Sequence, residues 1–235
     1  MKKSIALLAL LYIAAIKKKK GTFTDTRDGK TYKTTKIGEQ VWMAENLNYE
    51  AKRSKCYNDS ISYCDKYGRL YDWATAMGID KKFNRKKWNG SDVKHQGVCP
   101  KGWHLPNDED WDKLYRYVDG DKGTESLYNS KTAGEYLKSK KGWDDYEGKS
   151  SNGLDVFGFS ALPGGQRNFD PFVGFFYSFY GVGGSSSWWS ANEGDRYDGR
   201  SAHIRHMNSN PRLLKGAGWG NKNKGESCSV RCVGD

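Results

Sequence analysis

The sequence predicts one α+β domain of short strands, a few short helices and many turns. Three observations point there. Aromatic residues make up 14% of the chain, with 28 Gly and only 5 Pro. A core of rings joined by glycine turns favours strands and loops over long helices. Residues 107–118 carry a full helix signature, and after Gly142 the chain reads as short strands between Gly-rich turns. At 235 residues the chain is long enough for one large domain with a real core.

The elements follow in order. Two β-prone runs, at 22–26 and 30–34, flank Arg27-Asp28-Gly29, and Asp-Gly is a strong hairpin turn signal. Val41-Trp42-Met43 is a further strand candidate. Residues 68–77 read as a helix, with Leu70, Trp73, Ala74 and Met77 on one face and Gly78 as its stop. Pro106 and Asn107 start the clearest helix, with Asn107 as N-cap. Asp108, Glu109 and Asp110 fill its first turn, where the helix dipole favours acids. Trp111, Leu114, Tyr115 and Val118 form its apolar stripe. A third helix candidate, 131–138, buries Ala133, Tyr136 and Leu137.

Charge is unevenly placed. The formal net charge is +11, but residues 1–20 hold six Lys and no acid. The remainder carries 33 basic and 28 acidic residues, a charge of +5. Nucleic acid is therefore not an expected partner. The densest basic run outside the leader, 81–87, reads as a solvated loop.

Residues 1–20 form a signal-like leader: Lys2 and Lys3, an apolar run from Ile5 to Ile16, then Lys17 to Lys20. Its twelve apolar residues are too few to span a bilayer and match a signal-peptide core. The exit departs from a cleavage pattern. Cutting after Ala14 or Ala15 sets Tyr12 or Ile13 at a position that wants a small residue, and Ile16 stands where a lipidated Cys belongs. The expectation is an exported domain, 21–235, secreted or at the cell surface. Membrane contact comes only through the leader, if it is retained.

Five cysteines fit export. Cys56 and Cys64 bracket a short polar loop that a disulfide closes. Cys99, Cys228 and Cys232 leave one further pair and one thiol. The spacing from Cys228 to Cys232 is a weak metal signal, and a C-x2-C redox pair is absent.

Catalytic and metal patterns are thin. Asp108, Glu109, Asp110 and Asp112 suggest paired carboxylates, but three lie in one first helical turn, where capping explains them. His203 and His206 sit three apart, so on a strand their rings diverge. Gly181 to Gly184 lacks the Lys-Ser/Thr and helix start of a phosphate loop. No metal and no cofactor is expected.

Aromatic recognition remains. Nine of the residues from Phe169 to Trp189 are aromatic. Alternation puts Phe175, Tyr177 and Phe179 on one strand face and Phe176, Ser178 and Tyr180 on the other. Exposed rings stack on sugars and bury apolar area at low entropy cost. The ligand-binding candidates are Phe172, Phe175, Phe176, Tyr177 and Tyr180. One of Trp188 and Trp189 is expected to face the core.

Several strings resemble one family. They are Gly29-Lys-Thr-Tyr-Lys-Thr34, Val41-Trp-Met-Ala-Glu-Asn-Leu-Asn48, Cys56-Tyr-Asn-Asp-Ser60, Tyr67-Gly-Arg-Leu-Tyr71 and Gly97-Val-Cys-Pro-Lys-Gly-Trp-His-Leu-Pro106. Phe157-Gly-Phe-Ser-Ala-Leu-Pro-Gly-Gly165, Trp188-Trp-Ser-Ala191 and Ser229-Val-Arg-Cys-Val233 follow. From about Thr24 to Asp235 the chain resembles the Fibrobacter succinogenes major paralogous domain family. More distantly, residues 103–111 and the closing Ser-Val-Arg-Cys232 are similar to strings of the formylglycine-generating enzymes and C-type lectin-like folds. The resemblance implies a single C-type lectin-like, formylglycine-generating-enzyme-like α+β domain. That domain has a twisted antiparallel sheet, two or three short helices, long loops and chain ends close together. It also implies that Cys99 pairs with Cys232 and that Cys228 is the extra thiol. The formylglycine-generating enzymes use a reactive copper-binding Cys pair, but the flanks of Cys228 and Cys232 do not match that motif. The Glu-Pro-Asn and Trp-Asn-Asp strings of calcium-dependent lectins are absent.

The expected function is a non-catalytic exported or cell-surface binding module, with polysaccharide or protein as ligand. The alternatives are a structural surface protein without a small ligand and an enzyme related to the formylglycine-generating fold. The sequence does not specify an oligomeric state.

Overall fold

A computed structural model describes residues 19–90, 94–120, 130, 132–170, 176–196, 198–210 and 217–235. The protein is an α+β assembly dominated by two sheets. The first holds β1 (Lys19–Thr24), β2 (Thr31–Ile37), β3 (Gln40–Met43), β12 (Val233–Gly234) and β5 (Trp103–His104), in that order. All its neighbours are antiparallel. The second runs β10 (Ala217–Asn223), β9 (Ser201–Asn208), β8 (Ser185–Glu193), β11 (Cys228–Ser229) and β4 (Leu70–Tyr71). β6 (Gly164–Asp170) joins β8, and β7 (Phe176–Val182) pairs with β6. The second sheet is mixed rather than antiparallel throughout, because β11 and β6 both run parallel to β8.

The Asp-Gly turn forms as expected. Gly29 has φ +73, the Gly29 amide donates to Asp25 O, and β1 pairs with β2. The segment 68–77 departs from the expected helix. Leu70 and Tyr71 form β4, and the helix shrinks to α2 (Trp73–Ala76). Asp72 caps α2 by accepting from the Thr75 amide at 2.8 Å. The ladder to β11 outcompetes a helical start at Leu70, whose residues are buried in the sheet. The segment between Cys56 and Cys64 is also helical, with a 3-10 turn (Tyr57–Asp59) and α1 (Ile61–Tyr67).

α3 (Asp108–Val118) is the helix the sequence predicts. Asn107 Oδ1 accepts from the Asp110 amide at 2.9 Å and Asp110 Oδ2 accepts from the Asn107 amide at 3.1 Å, a reciprocal capping box. Trp111, Leu114, Tyr115 and Val118 are buried as one stripe. The third helix is a single turn, α4 (Ala133–Tyr136), with Ala133 and Leu137 fully buried.

The core divides into two clusters, and adjacent residues of one strand enter different ones. Trp188 packs with Trp42, Trp111, Phe159 and Met207. Trp189 packs with Tyr71, Trp73, Ala202 and Ile204. Both are fully buried, so the expectation of one core Trp falls short. Period-2 alternation sends them to opposite faces, and both faces of β8 are covered. Trp188 Nε1 donates to Asn46 Oδ1 at 2.8 Å and Trp189 Nε1 to Tyr71 O at 2.7 Å.

Arg231 lies at the junction, fully buried. Its Nε and Nη2 donate to Asn46 Oδ1 at 3.0 and 2.6 Å, and its Nη1 donates to Phe159 O and Met43 O. The guanidinium sits 4.5 Å from the Phe159 ring centroid. Burial pushes its pKa down to about 9, so it stays charged at neutral pH. Asn46 Nδ2 in turn donates to Tyr67 O at 2.8 Å.

Two disulfides cross-link the chain. Cys56 pairs with Cys64 and Cys99 with Cys232, the latter across 133 residues. Loop closure of that length stabilises by about 4–5 kcal/mol in the chain-entropy picture. Cys228 is the free thiol, fully buried, and burial pushes its pKa up to about 12, leaving it unreactive.

His104 joins β5, α3 and the last residue. Nδ1 lies 2.7 Å from Asp235 Oδ1 and Nε2 lies 3.2 Å from Asp110 Oδ2. Burial alone lowers its pKa, but the hydrogen bonds to Asp110 and Asp235 outweigh that and raise it. A raised imidazole pKa stabilises the fold below the unfolded value and loses that contribution as pH rises through the folded value.

Two outcomes follow for stability. Asn46→Ala strands the Arg231 cation and is expected to cost about 3 kcal/mol in urea unfolding, with Trp188→Phe costing less. The stability advantage of wild type over His104→Asn is expected to shrink from about pH 6 to about pH 8, a range that brackets the free imidazole pKa of 6.5. A gap that widens over that range excludes the ion-pair account.

Candidate functional site

The aromatic run maps onto the β6–β7 hairpin. Phe172 and Phe175 lie outside the described residues, and Phe176 is placed only by its backbone, opposite Asp170. Tyr177 and Tyr180 are 40% and 63% exposed. They stand on opposite faces of β7, as alternation requires.

The Tyr177 face is built by strand pairing. Phe169 opposes Tyr177 and Arg167 opposes Phe179. Phe169, itself 40% exposed, meets Tyr177 edge-on at 5.5 Å. The Arg167 guanidinium lies 4.4 Å from the Tyr177 ring centroid and 5.9 Å from that of Phe179. Phe179 turns inward onto Tyr57 at 5.2 Å. This face therefore grades from a packed root to an open tip. On the other face, Tyr180 opposes Gln166, whose Oε1 accepts from Ser187 Oγ at 2.8 Å. Asn168 Oδ1 accepts from Lys222 Nζ at 2.8 Å. A ligand lying across this face meets one exposed ring and amide groups held by partners.

The hairpin root explains why the strands cross there. Gly165 has φ +67, and a Cβ on it would stand 2.6 Å from Tyr57 Cε2 and 2.8 Å from Tyr180 O. Only glycine fits that approach. Arg167 and Phe169 are absent from the sequence-derived candidates. Phe169 belongs to the aromatic run, but its place beside Tyr177, like that of Arg167, is set by the register of two strands, which no local pattern carries.

The acids of α3 do more than cap. Asp110 serves the capping box and His104, whereas Asp108 reaches β8 and β9. His203 Nδ1 lies 2.5 Å from Asp108 Oδ2. Asp108 Oδ1 accepts from Ser190 Oγ at 2.8 Å and from Arg205 Nη1 at 3.0 Å. Arg205, 1% exposed, also donates to Asp112 Oδ1 at 3.1 Å. Burial raises the Asp108 pKa, but the His203 hydrogen bond and the Arg205 charge overcome it and lower it. Burial dominates at Asp112, whose pKa rises. An imidazole oriented by a carboxylate is half of a general-base arrangement. Here the Ser190 hydroxyl donates to the carboxylate rather than to the ring. His206 points away from His203, and burial lowers its pKa. Among the described residues, no group of three or more His, Cys, Asp or Glu side chains is placed to hold a metal ion. Among them, too, no helix is long and apolar enough to cross a membrane.

The family strings have a common place in this geometry. Asn46, Tyr67, Trp188 and Arg231 meet in one buried network, and Cys99 meets Cys232. The hairpin lies outside that network. Comparison with curated proteins and with solved structures returns no match. The family model described as the Fibrobacter succinogenes major domain matches residues 35–234. The chain belongs to the Fibrobacter succinogenes major domain family.

Proposed function

We propose that the protein is a non-catalytic binding module, exported or displayed at the cell surface, that holds a polysaccharide or protein ligand on the β6–β7 hairpin. The observation that carries this reading is the exposure of Phe169, Tyr177 and Tyr180 on one two-stranded element. Exposed rings that lean on neighbours rather than on the core are costly unless a partner covers them. Two disulfides support an oxidising environment. A C-type lectin-like type is supported by the C-terminal β12 lying between β3 and β5, in the sheet begun by β1 and β2.

One observation favours an enzyme as a second reading, the Asp108–His203 pair. A hydrolytic activity abolished by His203→Ala, with unchanged melting, would establish it.

The binding reading is tested by affinity electrophoresis in gels containing plant polysaccharides. Retardation by at least one polymer is expected, with Tyr180→Ala and Tyr177→Ala each weakening it about tenfold. Tyr180 makes no ring contact among the described residues, so its loss is not expected to alter the melting temperature. Unchanged mobility of the wild type across a broad glycan panel sinks the carbohydrate version.

A further inference from the structure

Arg27 and Arg53 share a groove of about 290 Å³ between the β1–β2 turn and α2, with Lys52 at its rim. We propose that this groove binds the carboxylate of an acidic sugar ring, a uronate of an acidic polysaccharide, through the two guanidinium groups. The site is separate from the hairpin and does not depend on it.

Both cations are already oriented. Arg27 Nε and Nη2 donate to the Asp25 carboxylate, the latter at 2.7 Å, and Nη1 donates to Val98 O at 2.9 Å. Its guanidinium lies 3.9 Å from the Tyr49 ring centroid. Asp25 is fully buried, while the Arg27 side chain is 29% exposed. The negative charge is therefore behind the cation, and a ligand in the groove meets the cation. Arg53 repeats the design. Nε donates to Asp72 Oδ2 at 3.0 Å and Nη2 to Asp72 Oδ1 at 3.4 Å. Asp72 is 8% exposed and also accepts from the Thr75 amide and Asn84 Nδ2. The Nη1 group of Arg53 takes part in none of these bonds. Lys52 makes no ion pair with a described residue and adds an uncompensated charge. Guanidinium groups fixed by second carboxylates lose little entropy on taking an anion.

The floor limits what the anion is attached to. Ala51, Ile79 and Val98 line it with apolar surface, and Thr75 lines it at 9% exposure with its Oγ1 buried beneath. A ring of sugar size fits that volume. Tyr49 is the aromatic side chain in the lining, and Arg27 already covers it. No ring there is open to stack on a base, which argues against single-stranded nucleic acid. The basic stretch from Lys81 to Lys87 adjoins the groove, since Asn84 bonds both Asp72 and the Ala74 amide. A polymer with repeated carboxylates meets positive charge beyond the first ring.

Calorimetric titration of the full chain tests this with trigalacturonate, triglucuronate, the methyl ester of trigalacturonate and cellotriose. At least one uronate is expected to bind, more weakly as salt rises, with the ester and cellotriose at least tenfold weaker. Arg53→Gln is expected to lower uronate affinity at least tenfold. Tyr180→Ala is expected to leave it unchanged, which separates this site from the hairpin. If Arg53→Gln does not fold, Lys52→Gln, which removes an exposed charge from the same lining, reads the groove through a severalfold loss of uronate affinity. The proposal is overturned if neither uronate binds, if the ester binds equally, or if folded groove variants keep full affinity. Tighter binding of DNA, lost in Lys86→Gln/Lys87→Gln but not in Arg53→Gln, overturns it in favour of a basic loop.

Discussion

Arg231 is a positive charge inside the protein that makes no ion pair with a carboxylate among the described residues, and segments from both sheets meet around it. Water is replaced by Asn46 Oδ1, two backbone carbonyls and the face of Phe159. These groups come from residues 43–46 and 159, far apart in the chain. A buried cation tolerates no missing acceptor, so these segments are held in one relative position. The same Asn46 oxygen takes the Trp188 indole N–H, which brings in β8. Backbone bonds from Met43 N to Cys232 O and from Leu47 N to Val230 O continue the tie on either side.

The chain repeats this solution elsewhere. Lys138 is 4% exposed and donates to Asn208 O and Ser151 O, with its ammonium 4.5 Å from the Trp143 ring centroid. Burial pushes its pKa down to about 8. Lys224, fully buried, sits over Trp73 but also has Glu193 as an ion partner. A composition rich in aromatic and basic residues thus makes a core in which cations rest on carbonyls and ring faces. The acidic side chains left over serve the surface of this core. Asp108 and Asp112 fix Arg205, while Asp25 and Asp72 fix Arg27 and Arg53. The β6–β7 hairpin is attached differently, through Gly165–Ser186 and Arg167–Ser227. Its rings at Phe169, Tyr177 and Tyr180 stay part-exposed rather than packed in either core cluster.

Several local features were readable because their causes are local. The Asp-Gly turn, the α3 capping box and the buried stripe of Trp111, Leu114, Tyr115 and Val118 each lie within a few residues of chain. The divergence of His203 and His206 needed only strand alternation. Residues 68–77 carry a helical pattern, since Leu70, Trp73, Ala74 and Met77 satisfy helical spacing, while the competing partner of Leu70 is the distant Ser229. The aromatic stretch was half legible. Opposite faces for Tyr177 and Tyr180 follow from alternation, but Arg167 and Phe169 enter only through pairing across the hairpin.

The α+β composition, the turn and cap positions, and the strings that mark the family are all local properties of the chain. Those depend on backbone preferences and short-range hydrogen bonds, which neighbouring residues decide. Tertiary structure alone decided that Trp188 and Trp189 are both interior, because burial of a strand's second face depends on what another segment lays over it. It decided that Arg231 and Asn46 meet across 185 positions. It also decided that Arg27 and Arg53 open onto one groove with their carboxylates behind them. Charge and ring size are written in the residue, but which side of a charge faces water is set by chain segments distant in sequence.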